Sequence, residues 1–274
     1  MGAEDKRQEP RVDVCSVVLP FLGTRVEDHQ PFQYLLQDVS PGGIRIALPR
    51  WVASRECLKI GDVIDFHVPF RMGAHILSIG TVSWQRWDAE YEAQILGASL
   101  TRRAPAFYPV HLEVETRDVT LNLTDFRSAD DMLVKVVKDA AFLKRGLLIY
   151  LGHLEAFFSR VGGLSAEEYG EFQEQILEDV RTKVRCNAVW LDDLLERVRG
   201  GLGVGGLDLE ELRVVMEPEI YLDIFRFALG SQTTRLYMAA MKELEKKTYS
   251  AYNAIVMLYI SALGGASSCA MSAH

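Results

Sequence analysis

The chain has no pair of neighbouring cysteines: Cys15, Cys57, Cys186 and Cys269 lie far apart. That spacing excludes C-x-x-C redox or zinc chemistry and fits free, buried thiols in a reducing compartment. The six histidines are equally scattered, without H-E-x-x-H spacing, so no structural metal is expected. Positive charge is also scarce. Thirty Lys+Arg against 38 Asp+Glu leave a net charge of −8, which excludes a general nucleic-acid binder with its basic footprint. No basic-then-apolar leader opens the chain, so a cytoplasmic location is expected. The stretch from Ser250 to Ala273 lacks charge, but its strongly apolar part, 254–263, is too short to span a bilayer. A buried helix is the expectation there, with no stable membrane span.

What is present is ordinary globular composition, 49% hydrophobic and 25% charged over 274 residues, enough for one large domain or two modest ones. Charge divides unevenly. Residues 1–104 carry 12 Lys+Arg against 13 Asp+Glu; the remaining 18 against 25 make the rest strongly acidic. An anionic ligand would need a local basic cluster, and the first part is the better place for one.

Residues 1–11 are polar, and Pro10 holds them out of a helix, so a mobile tail is expected. Short apolar, β-branched runs follow at 12–22, 32–39, 44–48, 63–69, 74–87 and 92–100, with a turn expected over 23–31. Ile44, Ile46 and Leu48 should face inward and Arg45 and Ala47 outward. Such a series of short strands predicts a small antiparallel barrel.

Two clusters stand out within it. Arg7 and Arg11 form R-x-x-x-R, preceded by Lys6, and Asp38-Val39-Ser40-Pro41-Gly42-Gly43 forms D-x-S-x-x-G ahead of an apolar strand bearing Arg45. Separately, the first is ordinary solvated charge and the second an Asx-type turn. Their conjunction, followed by Leu58-x-x-Gly61 and by Gly80-Thr81-Val82-Ser83-Trp84, resembles the PilZ family over roughly residues 5–115. One departure is Leu100, where the family's closing strand usually ends in an aromatic residue.

The resemblance implies a six-stranded barrel that binds cyclic di-GMP, with Lys6, Arg7, Arg11, Asp38, Ser40, Gly42, Gly43 and Arg45 as ligand residues. The chemistry is coherent. An arginine fork pairs bidentately with phosphate oxygens or guanine O6 and N7, and its plane stacks on a base. Asp38 and Ser40 lie two apart on a strand and share a face. A carboxylate there accepts from guanine N1–H and N2–H₂, which adenine cannot supply. Gly43, and with it Gly42, should allow φ > 0 and close approach to the ligand. Lys6, just before the first arginine, would favour a stacked ligand pair. Trp84 is read as barrel core.

Beyond Pro105 and Pro109, residues 110–126 alternate like one or two strands, and from Ser128 the period turns helical. Leu133, Val137, Ala140, Lys144, Leu147, Leu151, Leu154, Phe158 and Val161 form a heptad-like seam interrupted by Lys144. Ser165 opens a second helix to about Arg199, Asp208 caps a short third, and a last helix runs from Gly230 to about Leu263. Gly201–Gly206 spells G-x-G-x-x-G, but a helix precedes it where the dinucleotide fingerprint needs a strand, so an inter-helix loop is expected. His153 reads as a hydrogen-bonded core histidine.

The sequence therefore predicts an α+β, two-domain chain. A PilZ-like antiparallel barrel occupies 1–117, and an all-α bundle for output or oligomerisation occupies 118–274. It predicts a non-enzymatic receptor with cyclic di-GMP as ligand, no cofactor, an unidentified downstream protein partner and possible homo-oligomers through the helices. A PilZ-shaped scaffold that binds no nucleotide is the alternative, and an enzyme in the helical half has no nucleophile–base set to support it.

Overall fold

The computed structural model describes residues 12–13, 20–28, 30–50, 58–72, 75–101, 110–113, 118–121, 126–160, 164–218 and 232–271. The backbone packs into two compact units. The first comprises Met1–Pro105, Gly152–Ser165 and Phe225–Glu243; the second comprises Ala106–Leu151, Ala166–Ile224 and Leu244–His274.

In the first unit, β1 (Val12–Asp13), β2 (Phe21–Arg25), β3 (Pro31–Ser40), β4 (Gly43–Pro49), β5 (Val63–Met72), β6 (His75–Asp88) and β7 (Ala93–Leu100) form one antiparallel sheet. Its order is β1-β3-β2-β5-β6-β7-β4, and a further β3–β4 pairing closes six of the strands into a barrel. β1 adds to β3 at Asp38 and Val39, beyond the stretch 31–34 that β2 occupies. Ile44, Ile46 and Leu48 are buried as their alternation requires. They share the interior with Tyr34, which meets Phe66 edge-on at 5.5 Å and Phe21 at 6.0 Å.

Two local expectations are modified for tertiary reasons. The turn expected over 23–31 is shorter, because Gly23 pairs with Phe32 on one side and Phe66 on the other, which keeps β2 extended to Arg25. Ala47 keeps the outward side that alternation gives it but is covered there, in a small cluster with Leu35, Ala93 and Ile95.

In the second unit β8 (Val110–Glu113) and β9 (Asp118–Leu121) pair as a separate ribbon, and the boundary drawn at 117/118 falls between them. The helices are α1 (Ala129–Arg160), α2 (Ala166–Glu171), α3 (Glu178–Arg199), α4 (Leu209–Met216) and α5 (Gln232–Met271), with a π-helical stretch, Phe172–Leu177, joining α2 to α3; α1 from Gly152 onward and α5 up to Glu243 belong to the first unit. Local chemistry sets their ends. Ser128 Oγ accepts from Asp131 N–H at 3.1 Å, and Asp208 accepts from the Glu210 and Glu211 amides at 3.0 Å. α3 ends where Gly201 takes φ +103°, the Gly201 amide donating to Val198 O and the Leu202 amide to Arg197 O. That is a glycine-dependent helix cap. With the 3₁₀ turn Val204–Gly206, it makes the G-x-G-x-x-G run an inter-helix loop.

The α1 seam is buried from Leu133 to Phe158, and Lys144 at its centre is only 1% exposed. Its Nζ donates to Glu217 O at 3.1 Å, at the C-terminal end of α4, where a helix dipole favours a cation. α5 runs eight residues past the expected end at Leu263, and Ala262 on its anticipated inner stripe is exposed. Cys186 is exposed as well, against the expectation of buried thiols. No helix among the described residues is long and apolar enough to cross a membrane.

Candidate functional site

Two β-bulges build the site. On β3 the register with β4 slips between Leu36 and Asp38, so that Asp38 pairs with Arg45 instead of continuing inward from Leu36. On β6 the register with β7 slips between Val82 and Trp84, which sets Trp84 opposite Gly97. Since the side-chain period of a strand is two, one inserted residue turns everything beyond it to the other face. Asp38 and Trp84 are therefore both directed to the outer wall. The cross-strand register then lines up Trp84, Gly97, Arg45, Asp38 and Asp13 along one rung over five strands, β6-β7-β4-β3-β1.

Asp38 is only 2% exposed, and its Oδ2 lies 2.6 Å from Nε of Arg45, whose side chain is 37% exposed. The N–H there is not aligned as a hydrogen bond, so the contact is one of charge. Trp84 is 38% exposed, which corrects its reading as barrel core. Its indole lies across Gly97. A Cβ there would come within 2.3 Å of Nε1, so only glycine leaves room for the ring on the wall. Arg86, two residues on along β6, is exposed beside it.

The next rung holds Ser40 opposite Gly43 and Gly43 opposite Ser99, with Ser83 Oγ and Ser99 Oγ 2.7 Å apart. Ser40 is buried, and its hydroxyl donates weakly to Gly43 O at 3.4 Å. Gly42 is exposed and its carbonyl accepts from the Leu100 amide at 3.0 Å. Neither Gly42 nor Gly43 adopts positive φ; among the described glycines only Gly61 and Gly201 do. The turn therefore does not need glycine for its backbone angles, and what these two residues contribute is the missing side chain.

Of the anticipated ligand residues, Asp38, Ser40, Gly42, Gly43 and Arg45 are thus gathered on one corner of the barrel. Lys6, Arg7 and Arg11 lie outside the described residues. The described chain begins with Val12 paired to Val39 and Asp13 paired to Asp38. Trp84 is the residue that sequence reading missed. Regular alternation from the buried Val82 points it inward, and only the cross-strand register exposes the bulge at Ser83.

On the opposite side of β3, an aromatic series leaves the barrel interior. Tyr34 meets Phe21, and Phe21 meets Tyr237 of α5 at a centroid distance of 5.3 Å. Tyr237 OH is 3.0 Å from Nδ1 of His153, which is hydrogen-bonded as expected from sequence but half-buried rather than in the core. Burial lowers the His153 pKa, and a hydrogen bond to the Pro20 backbone opposes that shift. Among the described residues no cluster of His, Cys, Asp and Glu could hold a metal ion.

Residues 5–102 match the family model of the PilZ domain. This part of the chain is a PilZ domain. The helical part matches no family. Several solved structures resemble the PilZ domain at low identity. The Bacillus subtilis inhibitor of motility MotI/DgrA is 18% identical with a TM-score of 0.26, over 36% of this chain and 44% of that one. The K. pneumonia MrkH–c-di-GMP complex is 15% identical with a TM-score of 0.24, over 36% and 46%. The PilZ domain with c-di-GMP of YcgR from Escherichia coli is 17% identical with a TM-score of 0.24, over 36% and 81%. The chain thus spans less than half the length of the first two. No curated protein matches the chain.

Proposed function

We propose that the PilZ domain is a non-catalytic receptor for cyclic di-GMP and that the helical part carries its output. The observation that carries this reading is the pairing of β1 with β3 at Asp38 and Val39. Covalent geometry keeps the Arg11 Cα about 3.8 Å from that of Val12, and Arg7 within roughly 18 Å of it. Both guanidinium groups can therefore reach a ligand seated at Asp38.

In this account the ligand lies along the rung from Asp38 to Trp84. The Asp38 carboxylate accepts from guanine N1–H and N2–H₂, while Arg45 partly neutralises it and offers its half-exposed guanidinium to the ligand. Arg7 and Arg11, with Lys6 beside them, engage phosphate oxygens or a guanine Hoogsteen edge. The Trp84 indole supplies a stacking face, and a base stacked on an aromatic ring contributes about 1–3 kcal/mol. Ser40 adds a hydroxyl, and Gly42 and Gly43 leave the corner open to the ligand.

Transmission follows from β3, which bears Asp38 and Ser40 outside and Tyr34 inside. A shift of β3 on ligand binding presses through Tyr34 and Phe21 onto Tyr237 near the start of α5. The rival reading, a scaffold that binds no nucleotide, draws on the Asp38–Arg45 contact, which already occupies the carboxylate.

Titration of cyclic di-GMP into the full chain and into Arg11→Ala decides between them. Saturable binding by the wild type, weakened about a hundredfold in Arg11→Ala, is the expected result. A folded wild type that binds nothing, or affinity untouched by the substitution, would overturn the proposed site.

A further inference from the structure

The α1 seam offers no surface for self-association, because Leu133, Val137, Ala140, Leu147, Leu151 and Leu154 are all buried within the chain. A second stripe lies on α5. Tyr249, Asn253, Val256, Ile260 and Leu263 follow one another at steps of four, three, four and three. Tyr249 is 39%, Ile260 40% and Leu263 55% exposed, Asn253 is exposed and Val256 is half-buried. This is not the face that packs inward. Leu244, Thr248, Ala251, Ile255 and Leu258 form that one, roughly 140° around the helix at 3.6 residues per turn.

The same helix supplies its own contrast. Its outer face carries Lys242 and Lys246 just before the stripe begins, and no charge at all from Ser250 to Ala273. A helix face meant only for water is ordinarily charged or polar.

We propose that Tyr249–Leu263 is a seam at which a second copy of this chain pairs in parallel. The spacing puts Asn253 and Ile260 at a positions and Tyr249, Val256 and Leu263 at d positions. A β-branched a residue with Leu at d favours two strands, and one Asn at an a position sets the register. In a parallel two-fold pair, Asn253 meets the identical amide, which can both donate and accept. A lipid surface or a wholly apolar groove would leave that amide unsatisfied. Charge argues the same way: a chain of net −8 repels its copy elsewhere, and this face is uncharged.

The area sets the strength. From Tyr249 to Leu263 the helix is about 22 Å long and about 12 Å wide, giving on the order of 270 Å² per copy. The pair would bury roughly 540 Å², well short of the roughly 1,000 Å² of a stable interface, so the dimer is weak, with Kd no tighter than about 100 µM.

Sedimentation velocity of the full chain, from about 5 to about 500 µM, tests this. The wild type should pass from monomer to dimer, and Ile260→Lys should raise the midpoint at least tenfold with an unchanged circular dichroism spectrum. Val189→Lys, at an apolar residue of α3 that is 64% exposed but off the stripe, should leave the midpoint unchanged. Asn253→Leu should tighten association and admit species larger than a dimer. A wild type monomeric throughout, or Ile260→Lys behaving like Val189→Lys, would overturn the seam. So would a monomer whose stripe instead drives flotation with phosphatidylcholine vesicles.

Discussion

Asp38 and Lys144 are both buried charges, but the two units hold them differently. Asp38 lies on the outer barrel wall beneath an arginine that is 37% exposed, in a rung that ends at a tryptophan 38% exposed. Lys144 lies inside the helical unit, 1% exposed in an apolar seam, with its ammonium on the Glu217 carbonyl. In the barrel, irregular strands turn polar and aromatic groups outward to where a ligand could meet them. In the helical unit, regular periodicity turns even a lysine inward, where it ties α1 to the end of α4. The first arrangement suits binding and the second cohesion, so substitutions should separate affinity from stability.

The largest expected effect on stability is at Lys144. Lys144→Ala removes a buried stem and leaves the Glu217 carbonyl short of a donor, at a cost of about 3 kcal/mol in chemical denaturation. Affinity for cyclic di-GMP in the folded protein should not change; a parallel loss of affinity would break the contrast between the units. Next is the wall itself. Trp84→Ala should weaken cyclic di-GMP binding by roughly 2 kcal/mol with little change in melting temperature, because the ring is already part-exposed. Gly97→Val should act similarly by pushing the indole off the wall, and calorimetry on both variants checks whether the ring or the glycine matters.

The smallest effect concerns pH. Burial lowers the His153 pKa from its usual 6.5, so the unfolded chain binds the extra proton first as pH falls. The stability His153 contributes is complete above about pH 6.5 and is lost as pH drops from there toward its folded-state value. His153→Gln should flatten that part of a stability–pH profile; an unaltered slope would mean that other groups produce it.

What could be read from the residues alone was whatever is decided locally. Ser128 and Asp208 cap helices through hydrogen bonds two or three residues away, and the α1 seam follows from spacing along one element. The glycines after Arg199 end a helix, and the helix before them was itself legible. The fold class followed from the same signals: alternating short runs, then a 3.6-residue period. Bulges were not legible, since a slipped register exists only against a partner strand. That is why Trp84 was assigned to the core, and why Asp38 and Ser40 could be placed on one side of β3 without knowing that Arg45 would meet them. The burial of Lys144 and the exposure of Ala262 and Cys186 likewise depend on which neighbours arrive.

The most direct measurement of the central claim is calorimetric titration of the full chain with cyclic di-GMP and, separately, with cyclic di-AMP, in wild type and Asp38→Ala. The account predicts saturable binding of cyclic di-GMP by the wild type, at least about a hundredfold tighter than cyclic di-AMP, with that preference lost in Asp38→Ala. Equal affinity for the two nucleotides, or a guanine preference that survives without the carboxylate, would contradict it.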